Sequence, residues 1–262
     1  MREDLFLIIQ KYNFIVYAIL FISLWNIENI FGVSKNYNKW SHSLINFWFI
    51  IPGYIIQGVL GAEFGVVLKF ENSIGFGISS ISTIWQVLIA FLVLDLFYYL
   101  YHVVMHRYNL LWKVHAVHHS DTVLNVSTSL REHPFETVIR LSLYILCCCA
   151  IGPLLWIILF HQFVQVLSKI IIHSNIRLPD KFDYLLSFVF ITPNMHQVHH
   201  HFKRPYTDSN FGDLFSIWDR LFGTMMYLSK EQVIFGLDQV ETEKSKSIKS
   251  LVLINLSETY HV

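Results

Sequence analysis

The sequence predicts an all-α integral membrane protein, and its composition and hydropathy pattern carry this prediction. Hydrophobic residues make up 54% of the 262 residues and charged residues only 15%. The mean hydropathy is +0.46, well above that of a typical soluble domain. Apolar stretches of bilayer length recur along the chain. The formal net charge is zero, so nothing suggests a nucleic-acid partner, and the length suits one structural domain overall.

Three apolar stretches are each predicted to form one membrane span, at about 5–26, 43–62 and 81–104. The first has no small-residue cleavage site and is interrupted by Lys11, so we expect a retained anchor rather than a signal peptide. The third is expected to continue as one helix over 81–106, which places Asp95, His102 and His106 on a common stripe.

The fourth apolar stretch, at about 136–172, is nearly twice too long for one crossing. Gly152-Pro153 lies at its centre and is predicted to break the helix there. The sequence therefore predicts a re-entrant helical hairpin that enters the membrane and returns to the same side. The three consecutive cysteines at 147–149 lie inside it. Because adjacent helical residues point in different directions, we expect them to form no disulfide.

Positive charge predicts the orientation of these spans. Of the 19 lysines and arginines, 14 lie from Arg107 onward, and Lys35 and Lys39 follow the first span. Cytoplasmic loops carry an excess of such residues. We therefore expect a multi-pass protein with its N-terminus outside and its C-terminus in the cytoplasm.

Histidines recur in a spacing that ordinary packing does not require. A His-x-x-x-His pair at 102–106 precedes a His-x-x-His-His run at 115–119, and a second such run follows at 196–200, after His173. Because residues three and four apart share a helix face, each run directs two or three imidazoles at one point. These clusters exceed what one tetrahedral metal can use. The alternative, a set of interfacial surface histidines, does not account for five in so short a stretch. The pattern indicates a histidine-rich di-metal cap on the cytoplasmic face, where the hairpin would bring both clusters together.

Two further residues near the clusters have more than one interpretation. Asp95 is an ionisable residue at membrane depth, and is either a hydrogen-bond acceptor for a ligand histidine or a buried carboxylate paired with a tyrosine hydroxyl. His133 is either a metal ligand or a surface residue before a helix that begins at Pro134, with Glu136 complementing the helix dipole. His161, within the hairpin, is expected to be hydrogen-bonded rather than a ligand.

The order of these motifs resembles the fatty acid hydroxylase and sterol desaturase superfamily of membrane histidine-rich di-iron oxygenases. The resemblance covers roughly 85–226. Its later elements read His173-Ser174-Asn175, Thr192-Pro193-Asn194-Met195-His196-Gln197-Val198-His199-His200, Asn210-Phe211-Gly212 and Trp218-Asp219-Arg220. We expect Asn210, Trp218 and the Asp219-Arg220 pair to be structural rather than to contact a substrate.

The resemblance implies the following metal ligands: His102, His106, His115, His118, His119, His173, His196, His199 and His200. Some members of the superfamily place another histidine four residues before His173, where this chain has Lys169. A ten-ligand site would then need His133. The resemblance also divides the chain into N-terminal membrane spans at 1–80, a catalytic region at 81–226 and a polar C-terminal tail at 227–262.

The activity implied is hydroxylation of a C–H bond in a membrane lipid such as a sterol or fatty acyl chain, with desaturation left open. Such an enzyme would use two iron ions, O₂ and an external electron donor, a separate ferredoxin or cytochrome b5 type protein. Two alternatives remain, a histidine-rich metal transporter and a zinc-dependent lipid hydrolase. A transporter would need ligands deep within several spans, and the sequence has no His-Glu-x-x-His motif to supply a zinc-bound site with a base.

Overall fold

The computed structural model describes residues 2–68, 78–152, 154–237 and 247–252, with the side chains of 2–10, 62–68 and 79 excluded. Its α-helices are α1 (Arg2–Phe31), α2 (Lys39–Phe47), α3 (Ile50–Leu68), α4 (Thr83–Arg107), α5 (Asn109–His119), α6 (Pro134–Ile151), α7 (Leu155–Ile172), α8 (Asp180–Leu186), α9 (Pro193–His199), α10 (Ile217–Leu221) and α11 (Ile248–Val252). The described residues form no strand beyond isolated bridges such as Gly32–Ile176. The all-helical prediction is confirmed.

Among the residues that the structure describes, five stretches of helix are long and apolar enough to cross a membrane: Lys11–Phe31, Lys39–Gly61, Thr83–Arg107, Pro134–Ile151 and Leu155–Ile172. The long third helix predicted over 81–106 is confirmed as α4. The predicted second span is divided between α2 and α3, with Trp48 at the C-cap of α2.

The predicted break in the fourth apolar stretch is confirmed. Helix α6 ends at Gly152, whose φ of 67° is a left-handed conformation that glycine adopts readily. Pro153 itself lies outside the described residues, as do Lys69 and the polar segment 238–246. Helices α6 and α7 have 18 residues each, about 27 Å at 1.5 Å per residue. The three cysteines form no disulfide, as expected.

The apolar core lies between α4, α6 and α7. Its buried members are Ala90, Leu94, Tyr98, Tyr144, Cys148, Ile151, Ile157 and Ile158. His161 also lies here and is hydrogen-bonded to the Tyr144 hydroxyl at 3.2 Å, as predicted. Helix α1 packs along α7. These contacts hold the end of α4, the start of α6 and the end of α7 at one end of the bundle.

Buried polar contacts tie the N-terminal helices to that same end. Glu28 near the end of α1 accepts hydrogen bonds from the backbone amides of Val126 and Asn175 at 2.8 and 2.7 Å. Asn46 at the end of α2 donates to Asp121 at 3.1 Å. Burying such groups is tolerated because each is hydrogen-bonded. The ends of α1 and α2 therefore meet the segments around residues 117–131 and 173–176.

Candidate metal centre

Four elements carry the nine histidines that the sequence singles out in its clusters. The last two turns of α4 carry His102 and His106, and α5 carries the first His-x-x-His-His run. His173 is the C-cap of α7. The second run belongs to α9, which begins after Thr192, whose hydroxyl accepts a hydrogen bond from the Met195 amide. Every one of the nine is buried, although imidazole is seldom buried without a partner.

The nine histidines divide into two adjacent groups. In each group, one ring nitrogen from every member lies within 4.8 Å of the others. The five-histidine group consists of His102, His106, His115, His119 and His199, and the four-histidine group consists of His118, His173, His196 and His200. The rings of His119 and His200 stack at 4.6 Å between centroids, so the groups are neighbours. Each His-x-x-His-His run supplies both groups, with its middle histidine in one and its outer two in the other, so two of its imidazoles, and not all three, converge on one point.

Outward-facing Nδ1 atoms hold most of these rings in place. Backbone carbonyl oxygens accept from four of them at 2.7–2.9 Å: His102 with Phe211, His118 with Arg131, His173 with Lys169 and His199 with Ser209. Carboxylates accept from two more, at 2.7 Å for His115 with Glu136 and 3.1 Å for His106 with Asp208. A hydrogen bond at one ring nitrogen fixes the tautomer and leaves the other nitrogen free to bind a metal.

The inward-facing Nε2 atoms are placed to bind a metal and not to form hydrogen bonds with each other. His102 and His115 approach at 3.0 Å, and His173 lies 2.9 Å from both His118 and His196 through these atoms. Where Nδ1 carries the proton, two Nε2 lone pairs at this distance repel. Ligands about 2.0–2.1 Å from one metal are separated by about 2.9 Å when they subtend a right angle. The Nε2 atoms of His106, His119 and His199 have no hydrogen-bond partner among the described residues. The arrangement therefore suits two bound cations.

Burial keeps these imidazoles in the neutral form that binds metals. Burial, with repulsion from neighbouring rings as the second cause, holds the pKa well below the usual value for five of them: His118, His119, His196, His199 and His200. The pKa of His173 is lowered to about 3 by burial and by the nearby Lys169. Protonation would otherwise compete with metal binding.

A cluster of buried and partly buried charged residues lies beside both histidine groups. Glu132 pairs with Lys169 and Arg140, each at 2.9 Å. Burial raises the pKa of Glu132, but the Arg140 and Lys169 cations outweigh this effect and hold it well below its usual range. A cavity of about 30 Å³ beside these groups is also lined by Tyr101 and Asp213, which is room for a water molecule or two. Lys169, where some members of the superfamily have a histidine, is thus the partner of a buried carboxylate.

His133 lies outside both groups. Its Nδ1 accepts a hydrogen bond from the Phe135 amide and so caps the start of α6, and its Nε2 lies 3.2 Å from the Val252 carbonyl oxygen. With Pro134 at the first position of α6 and Glu136 in the first turn, the helix begins as predicted, but His133 is buried and is not the surface residue expected there. His201, beside the second run, accepts from the Ile234 amide and is also outside both groups.

Asp95 contacts a tryptophan and a backbone amide instead of a histidine. Its Oδ2 accepts from Trp218 Nε1 at 2.8 Å and from the Phe215 amide at 3.2 Å. Asp95 and His102 lie on one face of α4, but Asp95 is seven residues, or about 10 Å, before His102 along the helix. The expected acceptor role belongs to other residues, of which Glu136 and Asp208 are the charged ones.

The acceptors Phe211 and Ser209 lie in a loop that the sequence showed only as a motif. Asn210 between them has a φ of +50°, and its side chain donates to the Met195 and Met226 carbonyls at 3.0 and 2.8 Å. Asp219 accepts from the Phe211 amide at 2.8 Å. Asn and Asp tolerate and stabilise such turns. Asn210, Trp218 and Asp219 thus hold this loop in place, and Asp219 bonds to backbone amides instead of pairing with Arg220.

Fold and site together define an all-helical protein of the membrane-spanning type with two adjacent groups of buried histidines at one end of its bundle. The sequence model of the family described as "Fatty acid hydroxylase" matches residues 87–224, more than half of the chain. The chain belongs to this family.

Characterised relatives include two kinds of lipid-modifying enzyme. An alkylglycerol monooxygenase of Danio rerio is 34% identical over 154 residues, 58% of this chain and 33% of the relative. The ornithine lipid hydroxylase OlsE of Rhizobium tropici is 29% identical over 140 residues, 53% of this chain and 41% of the relative. The aligned part thus spans about a third to two fifths of these relatives. No solved structure matches the chain significantly.

Proposed function

We propose that this protein is a di-iron, O₂-dependent hydroxylase that acts on a C–H bond of a membrane lipid. The observation that carries the proposal is the pair of buried histidine groups, with ring orientation fixed from outside and free nitrogens directed inward. The relatives named as an alkylglycerol monooxygenase and an ornithine lipid hydroxylase support a lipid substrate and hydroxylation.

The nine histidines of the two groups are the proposed ligands, and His133 is assigned the capping role. Iron held by imidazoles supplies redox chemistry with O₂. The chain's own residues orient the rings through Phe211, Arg131, Lys169, Ser209, Glu136 and Asp208. Burial of all nine rings excludes bulk water, which protects a reactive centre from side reactions.

The electrons are proposed to come from a separate ferredoxin or cytochrome b5 type protein. The charge distribution supports a cytoplasmic metal centre and C-terminus, with an N-terminus outside. The structure is compatible with this orientation because the end of α1 lies beside the histidine groups, where Asn175 bonds to Glu28 at 2.7 Å. Helices α6 and α7 return to that end, as the proposed hairpin requires. The domain division at 80 and 226 stays a prediction.

Metal content per chain is the direct test. Purified protein loaded anaerobically with Fe(II) is expected to retain about two iron ions per chain, since each group supplies enough ligands for one. The double variant His199→Ala/His200→Ala removes one ligand from each group and should lose both. His161→Gln, a buried histidine outside the groups, is the matched control and should retain them.

Activity is tested by incubating the loaded protein with lipid extracts, a reductant and ¹⁸O₂. Incorporation of one ¹⁸O atom into a lipid supports hydroxylation. Product formation that continues without O₂ would instead support the zinc hydrolase alternative, and metal uptake into vesicles without O₂ consumption would support a transporter. One metal or none in the intact loaded protein would overturn the dinuclear assignment.

A further inference from the structure

A large apolar surface lies outside the five candidate spans. It is formed by α8 with the turn after it, and by α10. Its exposed side chains are Phe182, Tyr184, Leu185, Leu186, Phe188, Val189, Phe190, Ile217, Leu221 and Phe222, each 42–68% exposed. We call these residues the apolar shelf. Contiguous exposed apolar surface of this kind usually marks a contact with a membrane or a partner.

The shelf is fastened to the middle of a candidate span. Trp218 and Phe215 both bond to Asp95, and Phe222 stacks on Tyr99 at 5.3 Å between ring centroids. Asp95 lies twelve residues from either end of the 25-residue α4, about 18 Å along the helix. The hydrocarbon core of a bilayer is about 30 Å thick. A span that crosses it on α4 therefore holds the shelf at the depth of the acyl chains.

The backbone amides of the turn after α8 are hydrogen-bonded within the protein, as burial in lipid requires. Successive amides at 187–190 donate to the carbonyls of Asp183, Leu185 and Leu186, the last of which accepts twice. The Ile191 amide donates to Leu214 and the Ser216 amide to Val189. An irregular segment in water has no need of this, because water satisfies its amides, whereas hydrocarbon offers no alternative partner.

Of the charged residues in the shelf segments, Asp183 and Asp219 are buried, whereas Asp180 and Lys181 at the start of α8 and Arg220 are exposed. Asp219 is fully buried and accepts two backbone amides. Arg220 donates to the Ser187 carbonyl at 2.9 Å, and its guanidinium lies over the Phe188 ring at 4.8 Å. The exposed Arg220 thus lays its apolar stem along the shelf while its charged end stays accessible. The surface resembles the outer face of α3, where Tyr54, Ile55 and Val59 are 75, 59 and 56% exposed.

We propose that the apolar shelf inserts into the acyl-chain region of the bilayer that the helices span. The occupant of this surface is lipid, because the shelf has the depth of a span, an internally satisfied backbone and the composition of a lipid-facing helix. A second copy of the chain or a protein partner would bury it instead, and an extramembrane location would leave it in water.

Spin labels distinguish these three situations. Single cysteines replace Leu185 or Val189 in the full chain with the native thiols removed (Cys147→Ala, Cys148→Ala, Cys149→Ala), reconstituted in phosphatidylcholine nanodiscs. Ile55→Cys is the lipid-facing reference and Lys203→Cys the aqueous one. We expect the ratio of O₂ to Ni-EDDA collision rates at both shelf positions to match that at Ile55→Cys. A ratio matching Lys203→Cys would overturn the proposal, and so would low collision rates with both reagents.

A second measurement needs no substitution. Wild-type protein in nanodiscs containing a phospholipid with a diazirine near the end of its acyl chain is irradiated, digested and sequenced by mass spectrometry. Adducts on 182–190 at a yield comparable to those on α3 support the proposal. Adducts on α3 with none on 182–190 or 217–222 would refute it. Neither measurement depends on metal loading or activity.

Discussion

Substituting Glu136 by glutamine should weaken metal binding in the five-histidine group. The Glu136 Oε1 accepts from His115 Nδ1 at 2.7 Å, and both side chains are only 5% exposed. A buried carboxylate fixes the ring orientation and raises the basicity of the inward nitrogen. Glutamine keeps the shape and one hydrogen-bond acceptor but removes the negative charge. The orientation of the His115 ring is therefore largely retained, and the added basicity of its inward nitrogen is lost.

Loss of such an outer partner typically lowers metal affinity by about 10–100-fold, or about 1.4–2.8 kcal/mol. The effect should be selective, because His115 belongs to one group only. Titrating loaded protein with a chelator should remove about one of the two proposed metals at a 10–100-fold lower chelator concentration, while the other is retained as in the wild type.

Asp95→Asn is the matched control for this experiment. Asp95 is also a buried carboxylate, on α4 close to the same site, but it bonds to Trp218 and Phe215. Asparagine can still accept those two bonds, so the chelator titration should be unchanged. Equal losses in both variants would refute the argument, since they would show a general response to removing buried charge. An unchanged Glu136→Gln would also refute it.

Three further predictions follow from the contacts around the site. His133→Ala should retain both metals and lower the unfolding free energy by about 1 kcal/mol, the usual effect of a lost N-cap; loss of a metal would restore the ligand interpretation. Gly212→Ala should lower the melting temperature, because its Cβ would lie 2.7 Å from the Phe215 carbonyl oxygen and strain of this kind costs about 1–3 kcal/mol. Gly58→Ala, with open space around the new carbon, should not. The metal-free protein should lose stability as pH falls below about 6.5, the unfolded histidine value, because burial and neighbouring rings lower the folded pKa values, that of His173 to about 3. Thermal melts across this range check it, and a stability that rises on acidification would contradict it.

Much of the fold follows from local pattern. The apolar run over 81–106 was long enough and uninterrupted enough to predict α4 within two residues at its start. Gly152 marked the break between α6 and α7, because glycine most readily adopts the left-handed conformation that ends a helix. The division of the second span at Trp48 was not predicted, although Pro52 in the first turn of α3 is a signal for the start of a helix.

The contacts of the site residues could be predicted only where they involve neighbours in the sequence. The helix start after His133 was predicted because Pro134 follows it directly, but His133 was expected to be a ligand or a surface residue and is instead the buried cap of α6. Asp208 lies 102 residues from His106 along the chain, yet bonds to it, and no sequence pattern connects the two. Asp95 was expected to serve a histidine because the helix places both on one stripe. The loop at 215–218 bonds to that carboxylate instead. The spacing of residues along a helix does not show which segment packs against its face.

By itself the sequence determined that the protein is helical and that its helices are apolar enough for a membrane. Spacing placed the histidines of each run on one helix face, because residues three and four apart share a face whatever surrounds the helix, and the resemblance to the family implied that nine histidines form one ligand set. Only the tertiary structure decided how the nine divide. His115 and His119 join one group while His118, between them, joins the other. The partners of each ring come from segments distant in the chain, and packing alone brings those segments together.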